Sequence, residues 1–333
     1  MRVSAIVPTY NCGPWLKECI DSILRQDAPV MELIIVDDGS TDDTARIVQA
    51  CGDKRIRYFR QDHAGLSRTR NVGLAKARGD FLAFLDADDL WPSNYLGEML
   101  AHLERSPNCG LAYCEVLHIH PDGRQEECYP SESYPSGRIT CQMFQRFLVW
   151  VQGCVMRRAC MDGMWFDERF SFGTGEDIDL LLRLSLRTSF LFVPSVRITR
   201  RIRRESLSQN PDHFRFRMNM VKGIRVYERF YHRLGGKDCI PARLARGYLS
   251  RTYTRHAGKY RISDARRASL ALYREAIRYS WLSRRAWWGL ARAWAMPKRR
   301  DALPDWQMPQ HLPDEIMHVP EPRAMETANS VND

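Results

Sequence analysis

The sequence lacks long apolar runs, since no stretch approaches the roughly 18 to 20 apolar residues that a membrane-spanning helix needs. Its start, Met1–Ala5, has no basic head followed by an apolar core of the kind that directs secretion. Hydrophobic residues make up 44% of the chain and charged residues 27%, which excludes a disordered or fibrous protein. We therefore expect a globular protein of the cytoplasm, free or peripheral on the inner face of the cell membrane.

Paired cysteines are also missing. The ten cysteines contain no C-x-x-C pair and no compact framework of the kind that cross-links small secreted domains. Scattered cysteines of this sort are typical of reduced, mostly buried thiols. A zinc site is not expected, because structural zinc sites usually rest on closely spaced cysteine or histidine pairs.

Two further absences bear on the class of protein. The loop Pro8-Thr-Tyr-Asn-Cys-Gly13 lacks the G-x-G-x-x-G turn of a dinucleotide-dependent oxidoreductase. It also lacks the Gly-rich basic loop of a nucleotidyltransferase, which stays open as the nearest enzymatic alternative. A basic nucleic-acid-binding protein is an alternative of a different class, but the sequence has no recognisable recognition module, and we expect no nucleic-acid partner.

The net charge of +10 is unevenly distributed. Residues 1–199 carry 22 basic and 27 acidic residues, and residues 301–333 carry 1 and 7. The excess comes from residues 200–300, with 27 basic and 6 acidic residues. The whole-chain charge therefore averages three unlike segments, of which only the middle one is basic.

The first hundred residues alternate apolar strands with amphipathic helices, which predicts a doubly wound α/β layer. In such a layer, ligands bind beyond the carboxyl ends of the strands. From about residue 214 the pattern is helical. The predicted strands of the first part are Val3–Val7, Glu32–Val36, Ile56–Phe59 and Phe81–Leu85, with further strands at Cys109–Glu115 and 190–196 and a helix at 141–150.

The strongest local motif is Phe84-Leu-Asp-Ala-Asp-Asp89, at the end of a predicted strand. Asp86 and Asp88 can face one cavity and bind a hard divalent cation through oxygen. Such a cation would balance the charge of a diphosphate. The alternative is that the acids only cap the helix predicted from Pro92, but capping does not account for three carboxylates in four residues.

Other polar loops suit a nucleotide and an acid–base catalyst. An acid in Val36-Asp-Asp-Gly-Ser-Thr-Asp42 can accept hydrogen bonds from a base or ribose, and Tyr10 can stack on a base. Arg70 suits phosphate, and an acid in Gly173-Thr-Gly-Glu-Asp-Ile-Asp179 can take a proton from a hydroxyl. Each feature also has an ordinary structural explanation. The loop after Val36 can be a simple strand-to-helix turn, and Tyr10 can be a packed ring. Arg70 can be a solvated arginine, and the acids of 173–179 can be favoured by a helix dipole.

In their order along the chain, these motifs resemble the family 2 inverting glycosyltransferases with the GT-A fold, over residues 1 to about 205. The matching segments are Val7-Pro-Thr-Tyr-Asn11, Val36-Asp-Asp-Gly-Ser-Thr-Asp42, Arg70-Asn-Val-Gly73, the D-x-D segment Asp86-Ala-Asp-Asp89, and Gly175-Glu-Asp177. The resemblance implies a doubly wound, mainly parallel α/β sheet with flanking helices, followed here by a basic helical extension.

The resemblance also implies metal-assisted transfer of a hexosyl group from a nucleotide-diphosphate sugar, most often a UDP-sugar. The acceptor would be a saccharide or lipid-linked saccharide in cell-surface polysaccharide synthesis. Asp177 would be the general base, and Glu176 would orient the acceptor. Asp88, with Asp86, would bind Mg²⁺ or Mn²⁺. The donor would lie against Pro8, Thr9, Tyr10, Asp37, Asp38, Arg70, Asp86 and Ala87, with Asp37 supporting its loop.

One segment departs from the family pattern. Relatives often carry a Tyr-Arg-x-His-like segment before a Ser, whereas this chain has Thr199-Arg-Arg-Ile-Arg-Arg-Glu-Ser206 without histidine. Arg203 or Arg204 could instead pair directly with the diphosphate. The resemblance implies a catalytic domain (1–210). Beyond it, composition predicts a basic Arg- and Trp-rich helical region (211–300) and a flexible acidic tail (301–333).

The basic region contains a tryptophan-rich helix. Helical spacing puts Trp287, Leu290 and Trp294 on one face, with Arg284 and Arg292 around it. Such a helix can lie in the headgroup layer of an anionic membrane, so peripheral membrane contact is one interpretation. Packing on the catalytic domain or on a second subunit is the other.

Overall fold

The structure is a computed structural model that describes residues 1–170, 175–203, 213–297, 301–303, 306–316 and 325–326. The chain forms two compact units. The first contains Met1–Pro211 and Ile316–Asp333, and the second contains Asp212–Glu315. Within the described residues, no helix combines the length and the apolar character needed to cross a membrane.

The first unit is built on a mixed sheet with helices packed against it. Its strands are β1 Val3–Thr9, β2 Glu32–Asp37, β3 Ile56–Arg60, β4 Phe81–Phe84, β5 Cys109–Ile119, β6 Gln125–Glu127, β7 Cys154–Arg157, β8 Ser189–Arg201 and β9 Met325–Glu326. Its helices are α1 Gly13–Leu24, α2 Thr44–Cys51, α3 Leu66–Lys76, α4 Tyr95–Arg105, α5 Thr140–Gln145 and α6 Glu176–Arg187.

Two halves of the sheet differ in strand direction. Strands β4, β1, β2 and β3 are neighbours in that order and run parallel, as the alternating pattern predicted. Beyond β4, strand β7 is antiparallel to both β4 and β5, while β8 runs parallel to β5. The parallel half brings the carboxyl ends of β1, β2 and β4 to one edge, where ligands bind in α/β folds.

The apolar pattern of the first hundred residues accounts for this core. On α1, the side chains of Leu16, Ile20 and Ile23 are fully buried, and every residue of β1 is buried. Helix α3 packs especially closely on the sheet, because a Cβ at Gly73 would lie 2.3 Å from Ile6 Cγ2. This close approach holds α3 against β1, and Arg70 lies one turn earlier on the same helix.

Some elements differ from the predicted bounds. Strands β5 and β8 are longer than the sequence indicated, because they pair with each other as far as Ile119 and Arg201. The predicted helix at 141–150 ends at Gln145, since Arg146 takes an extended conformation. Strand β7 was not predicted. Its apolar run is short, and its extended conformation depends on pairing with β4 and β5, which are distant in sequence.

The second unit is helical among its described residues, as the sequence predicted from about residue 214. Its helices are α7 His213–Arg233, α8 Gly236–Cys239, α9 Ala242–Ile262, α10 Arg266–Tyr279 and α11 Arg284–Trp294. Glu228 lies in its core and accepts hydrogen bonds from Tyr253 at 2.8 Å and Tyr279 at 2.7 Å. Part of the predicted flexible tail is anchored here, because Arg225 Nε donates to the Pro309 carbonyl at 3.0 Å.

Candidate active site

A cavity of about 490 Å³ lies in the first unit, beyond the carboxyl ends of β1, β2 and β4. Of the residues singled out from the sequence, its lining includes Pro8, Thr9, Tyr10, Asp38, Arg70, Asp86, Ala87, Asp88, Glu176, Asp177 and Arg203. Arg204 lies outside the described residues. The cavity therefore brings together side chains from five separate sequence motifs.

Arg70 of α3 lies at the centre of this arrangement and is only 1% exposed. Its guanidinium donates to Asp86 Oδ1 at 2.9 Å and to Glu176 Oε1 at 3.0 Å. It also lies over the ring of Phe166, 5.4 Å from the centroid. A buried guanidinium is stable only when carboxylates and hydrogen bonds compensate it, so Arg70 holds the β4 end and the start of α6 together.

The loops after β1 and β2 are tied to each other. The Asn11 amide donates to Ser40 Oγ at 2.9 Å, and the Thr41 amide donates to Asn11 Oδ1 at 2.8 Å. Asp37 is fully buried and accepts hydrogen bonds from the Ser40 amide at 2.8 Å and from the Tyr58 hydroxyl. Asp37 thus does not line the cavity and acts on the site by supporting the loop.

Asp38 is 3% exposed and is held by the loop that follows β3. Its carboxylate accepts the amides of Ala64 and Gly65, both at 2.9 Å, and the side-chain amide of Gln61 at 2.6 Å. His63 Nδ1 lies 2.8 Å from the same carboxylate. Much of the accepting capacity of Asp38 is therefore used within the protein, which shapes the cavity wall.

Tyr10 is 45% exposed, and its ring is stacked on the imidazole of His63. The ring centroids are 4.3 Å apart with an interplanar angle of 25°. The two rings form an aromatic surface at the mouth of the cavity, beside the buried Asp38. A planar base has both an aromatic face and polar edges, so this corner suits a nucleobase.

The remaining acids of the D-x-D segment contact the end of β8 and the residues that follow it. Asp88 Oδ2 pairs with Arg203 at 2.6 Å, and the Arg203 guanidinium lies 4.2 Å from the ring centroid of Trp15. Asp89 accepts the Arg201 amide at 3.1 Å, and Leu90 forms a bridge with Thr199. Asp89 therefore links the β4 end to β8, and Asp88 links it to the residues just after β8, rather than only capping a helix.

Glu176 and Asp177 occupy the first turn of α6, after Gly175 at φ +101°. This left-handed conformation favours glycine, and it lets the chain turn sharply so that both carboxylates enter the cavity. Burial and the charge of Asp177 raise the pKa of Glu176 to about 7. Burial also raises the pKa of Asp177, although the charge of Arg70 opposes this shift.

The sequence did not indicate several of the cavity residues, among them Gln152, Trp150 and His63. Gln152 donates its side-chain amide to Asp86 Oδ2, and Trp150 and His63 also line the cavity. Gln152 and Trp150 precede the unpredicted strand β7, and nothing in their local sequence indicates a site. The stacking of His63 on Tyr10 becomes visible only when the β1 and β3 loops are brought together in space.

Within the described residues, the protein supplies only part of the donor set that a divalent cation needs. Both oxygens of Asp86 are engaged, by Arg70 and Gln152, and Asp88 is paired with Arg203. No group of three or more His, Cys, Asp or Glu side chains suited to a metal ion is found among the described residues. Mg²⁺ commonly uses one or two carboxylates together with water and substrate phosphates, so these residues fit a cation that the substrate helps to bind.

Comparison with known sequences gives the following matches. The model of Glycosyl transferase family 2 matches residues 4–160. An uncharacterized glycosyltransferase of Rickettsia bellii is 32% identical over 187 residues, which cover 56% of this chain and 26% of the relative. The uncharacterized glycosyltransferase EpsJ of Bacillus subtilis is 47% identical over 89 residues, which are 26% of each chain. This chain thus spans about a quarter of the length of these relatives.

Solved structures show the same fold. The crystal structure of S. aureus TarS 1-349 superposes with a TM-score of 0.58 at 18% identity, covering 84% of this chain and 81% of TarS 1-349. A crystal structure of TarS 1-349 in complex with UDP-GlcNAc gives a TM-score of 0.55 at 18% identity, over 84% and 89% of the two chains. The predicted GT-A fold is confirmed.

The raised pKa of Glu176 predicts a specific dependence of stability on pH. Because the folded protein holds the proton of Glu176 more tightly than the unfolded chain does, this group stabilises the fold below pH 4.5, and the effect is lost as the pH rises to about 7. We expect the free energy of unfolding of the wild type, relative to Glu176→Gln, to fall by up to about 3 kcal/mol over that range.

Urea unfolding of both proteins at pH 4.5, 5.5, 6.5 and 7.5 measures this difference. Glu104→Gln, at an exposed position of α4, controls for the change from carboxylate to amide. A relative stability that instead increases between pH 4.5 and 7 would show that Arg70 outweighs burial at Glu176.

Proposed function

We propose that this chain, whose residues 4–160 match the model of glycosyl transferase family 2, transfers a sugar from a nucleotide-diphosphate sugar to an acceptor hydroxyl with inversion of the anomeric carbon. One observation carries the proposal: Arg70 joins Asp86, at the end of β4, to Glu176, beside Asp177 on α6. A donor-side carboxylate and a pair of acids suited to proton transfer therefore share one cavity.

The proposed donor is a UDP-sugar. Support comes from TarS 1-349, which has been crystallised in complex with UDP-GlcNAc and with UDP. In this chain the aromatic corner of Tyr10 and His63 offers a stacking surface, and Pro8 and Thr9 line the adjoining wall. Asp38 would contact the nucleoside from the floor of this corner, while Asp86 and Ala87 would contact the ribose or the donor sugar.

The diphosphate would lie near Asp88 and Arg203. Arg203 Nε has no hydrogen-bonding partner in the described part of the chain, so Arg203 can offer a donor to phosphate oxygens. Mg²⁺ or Mn²⁺, held by Asp88 and substrate oxygens with Asp86 alongside, would stabilise the negative charge of the departing diphosphate. Arg70 adds positive charge from the buried side of the site.

Asp177 is the proposed general base. It is more exposed than Glu176, lines the cavity, and lies at the start of α6, where the helix dipole favours the ionised form. As the acceptor oxygen forms its bond to the anomeric carbon, its proton passes to Asp177, and the bond from that carbon to the diphosphate oxygen breaks. Glu176, held by Arg70, would position the acceptor beside the base.

The proposed acceptor is a saccharide or lipid-linked saccharide of cell-surface polysaccharide synthesis, and the proposed place of reaction is the inner face of the cell membrane. The support is the segment 200–300, with its 27 basic and 6 acidic residues. A basic surface is attracted to anionic lipid, which would bring the catalytic unit close to a lipid-linked substrate.

Diphosphate release from a panel of nucleotide sugars, measured with and without Mn²⁺, tests the proposed reaction. We expect hydrolysis or transfer with at least one UDP-sugar, a faster rate with Mn²⁺, and inverted product by NMR. Release of no nucleoside diphosphate from any donor, with or without acceptor sugars, would contradict the proposal. Release of pyrophosphate from a nucleotide and a sugar phosphate would indicate a nucleotidyltransferase instead.

Replacement of the proposed general base, Asp177, gives a prediction for a single residue. General-base catalysis contributes about 10² to 10⁴ in rate, so Asp177→Asn should lower kcat at least ten-fold. Donor affinity, measured by calorimetry with UDP, should remain nearly unchanged because the nucleoside corner is intact. Asp162→Asn, at an exposed position of the same unit, is the control. An unchanged kcat for Asp177→Asn would show that Asp177 is not the general base.

A further inference from the structure

Helix α11 packs on its own unit through its smallest residues. Ala286, Gly289 and Ala293 lie on one side of the helix and are buried. A Cβ at Gly289 would lie 2.2 Å from the ring of Tyr273 on α10, so the two helices approach as closely as glycine allows. The buried side of α11 therefore has no room for its large residues.

As a result, the tryptophans of α11 point away from the packed side. Trp287 is 51% exposed, and Trp288 and Trp294 are each 72% exposed. In the turn just before the helix, Trp281 is 73% exposed and Leu282 is 70% exposed. We call these five residues the tryptophan face. Scattered exposed apolar residues are ordinary, but a group of four tryptophans marks an interaction surface.

The tryptophan face is surrounded by positive charge. Residues 266–294 contain seven arginines and one acidic residue, Glu275. Arg284, Arg285 and Arg292 are all exposed on α11 itself. A partner for this surface must therefore present negative charge next to a medium that accepts indole rings.

An anionic lipid surface meets both requirements. Indole rings partition into the boundary between headgroups and acyl chains, and arginines remain at the level of the lipid phosphates. The indole N–H of Trp287 already donates to the Trp281 carbonyl at 2.8 Å. Burying this ring in lipid therefore leaves no indole N–H without a hydrogen-bond acceptor. A second copy docked through the same face would instead bring like-charged arginines together.

We propose that the tryptophan face lies in the headgroup layer of an anionic membrane and docks the chain there. The inference rests on the proposed function for its biological place, because a membrane-docked enzyme would meet a lipid-linked acceptor. The physical argument for membrane binding uses only the exposed tryptophans and arginines of α10, α11 and the turn between them. The interaction can thus be measured without donor, acceptor or transfer.

Vesicle flotation at physiological salt tests the proposal with the full chain. We expect the protein to float with vesicles of phosphatidylcholine containing 30% phosphatidylglycerol and not with phosphatidylcholine alone. The triple variant Trp287→Ser, Trp288→Ser, Trp294→Ser should bind at least ten-fold more weakly. These side chains are exposed, so the fold should persist, and circular dichroism checks this.

A charge-matched pair separates local docking from general electrostatic attraction. Arg284→Gln with Arg285→Gln should weaken binding several-fold, whereas Arg243→Gln with Arg246→Gln, on α9, makes the same charge change away from α11 and should have a smaller effect. The intrinsic tryptophan emission of the wild type should shift to shorter wavelength on vesicle binding. Brominated lipids should quench it, and both responses should diminish in the triple variant.

Three outcomes would overturn the proposal: no binding to anionic vesicles, binding unaffected by the triple variant, or equal losses in the two arginine pairs. Self-association abolished by the triple variant, in the absence of vesicle binding, would identify a second copy as the partner. Binding of single-stranded nucleic acid that depends on the same tryptophans, again without vesicle binding, would identify nucleic acid. Failure of the transfer assay would leave all of these results interpretable.

Discussion

The site depends on one buried ion network centred on Arg70. Its guanidinium is removed from water and is compensated by Asp86 on one side and Glu176 on the other. Such a charge is costly to bury unless its partners are held in place. The close packing of α3 on β1 at Gly73, the Gln152 contact to Asp86 and the left-handed turn at Gly175 all serve that geometry.

The sequence predicted the features that local patterns encode. Apolar strands ending in acids located Asp86 and Asp88, and the order of five motifs indicated a family whose model matches residues 4–160. It could not predict Gln152, because that contact arises from strand pairing across the sheet. Nor did it predict that protein groups hold Asp38 and pair with Asp88, since both contacts join loops distant in sequence.

The uneven charge of the chain corresponds to a division of tasks. The acidic first part supplies the carboxylates of the cavity. Burial raises the pKa of both Glu176 and Asp177, the charge of Asp177 adds to the rise at Glu176, and the charge of Arg70 opposes both shifts. In the second unit, the small-residue packing of α11 leaves tryptophans and arginines in solvent. Two different physical requirements, a compensated buried charge and an exposed amphipathic surface, thus explain why one chain carries opposite charges in its two parts.

The most direct test of this account measures whether Arg70 is needed to neutralise Asp86 and Glu176. Removing one partner of a buried ion pair typically costs about 3 to 5 kcal/mol, so Arg70→Met should lower the free energy of unfolding by that amount. Adding Asp86→Asn and Glu176→Gln to Arg70→Met removes the charges of both hydrogen-bonded partners of Arg70 and should restore most of the loss. A triple variant no more stable than Arg70→Met, or a loss below about 1 kcal/mol for Arg70→Met alone, would contradict the account.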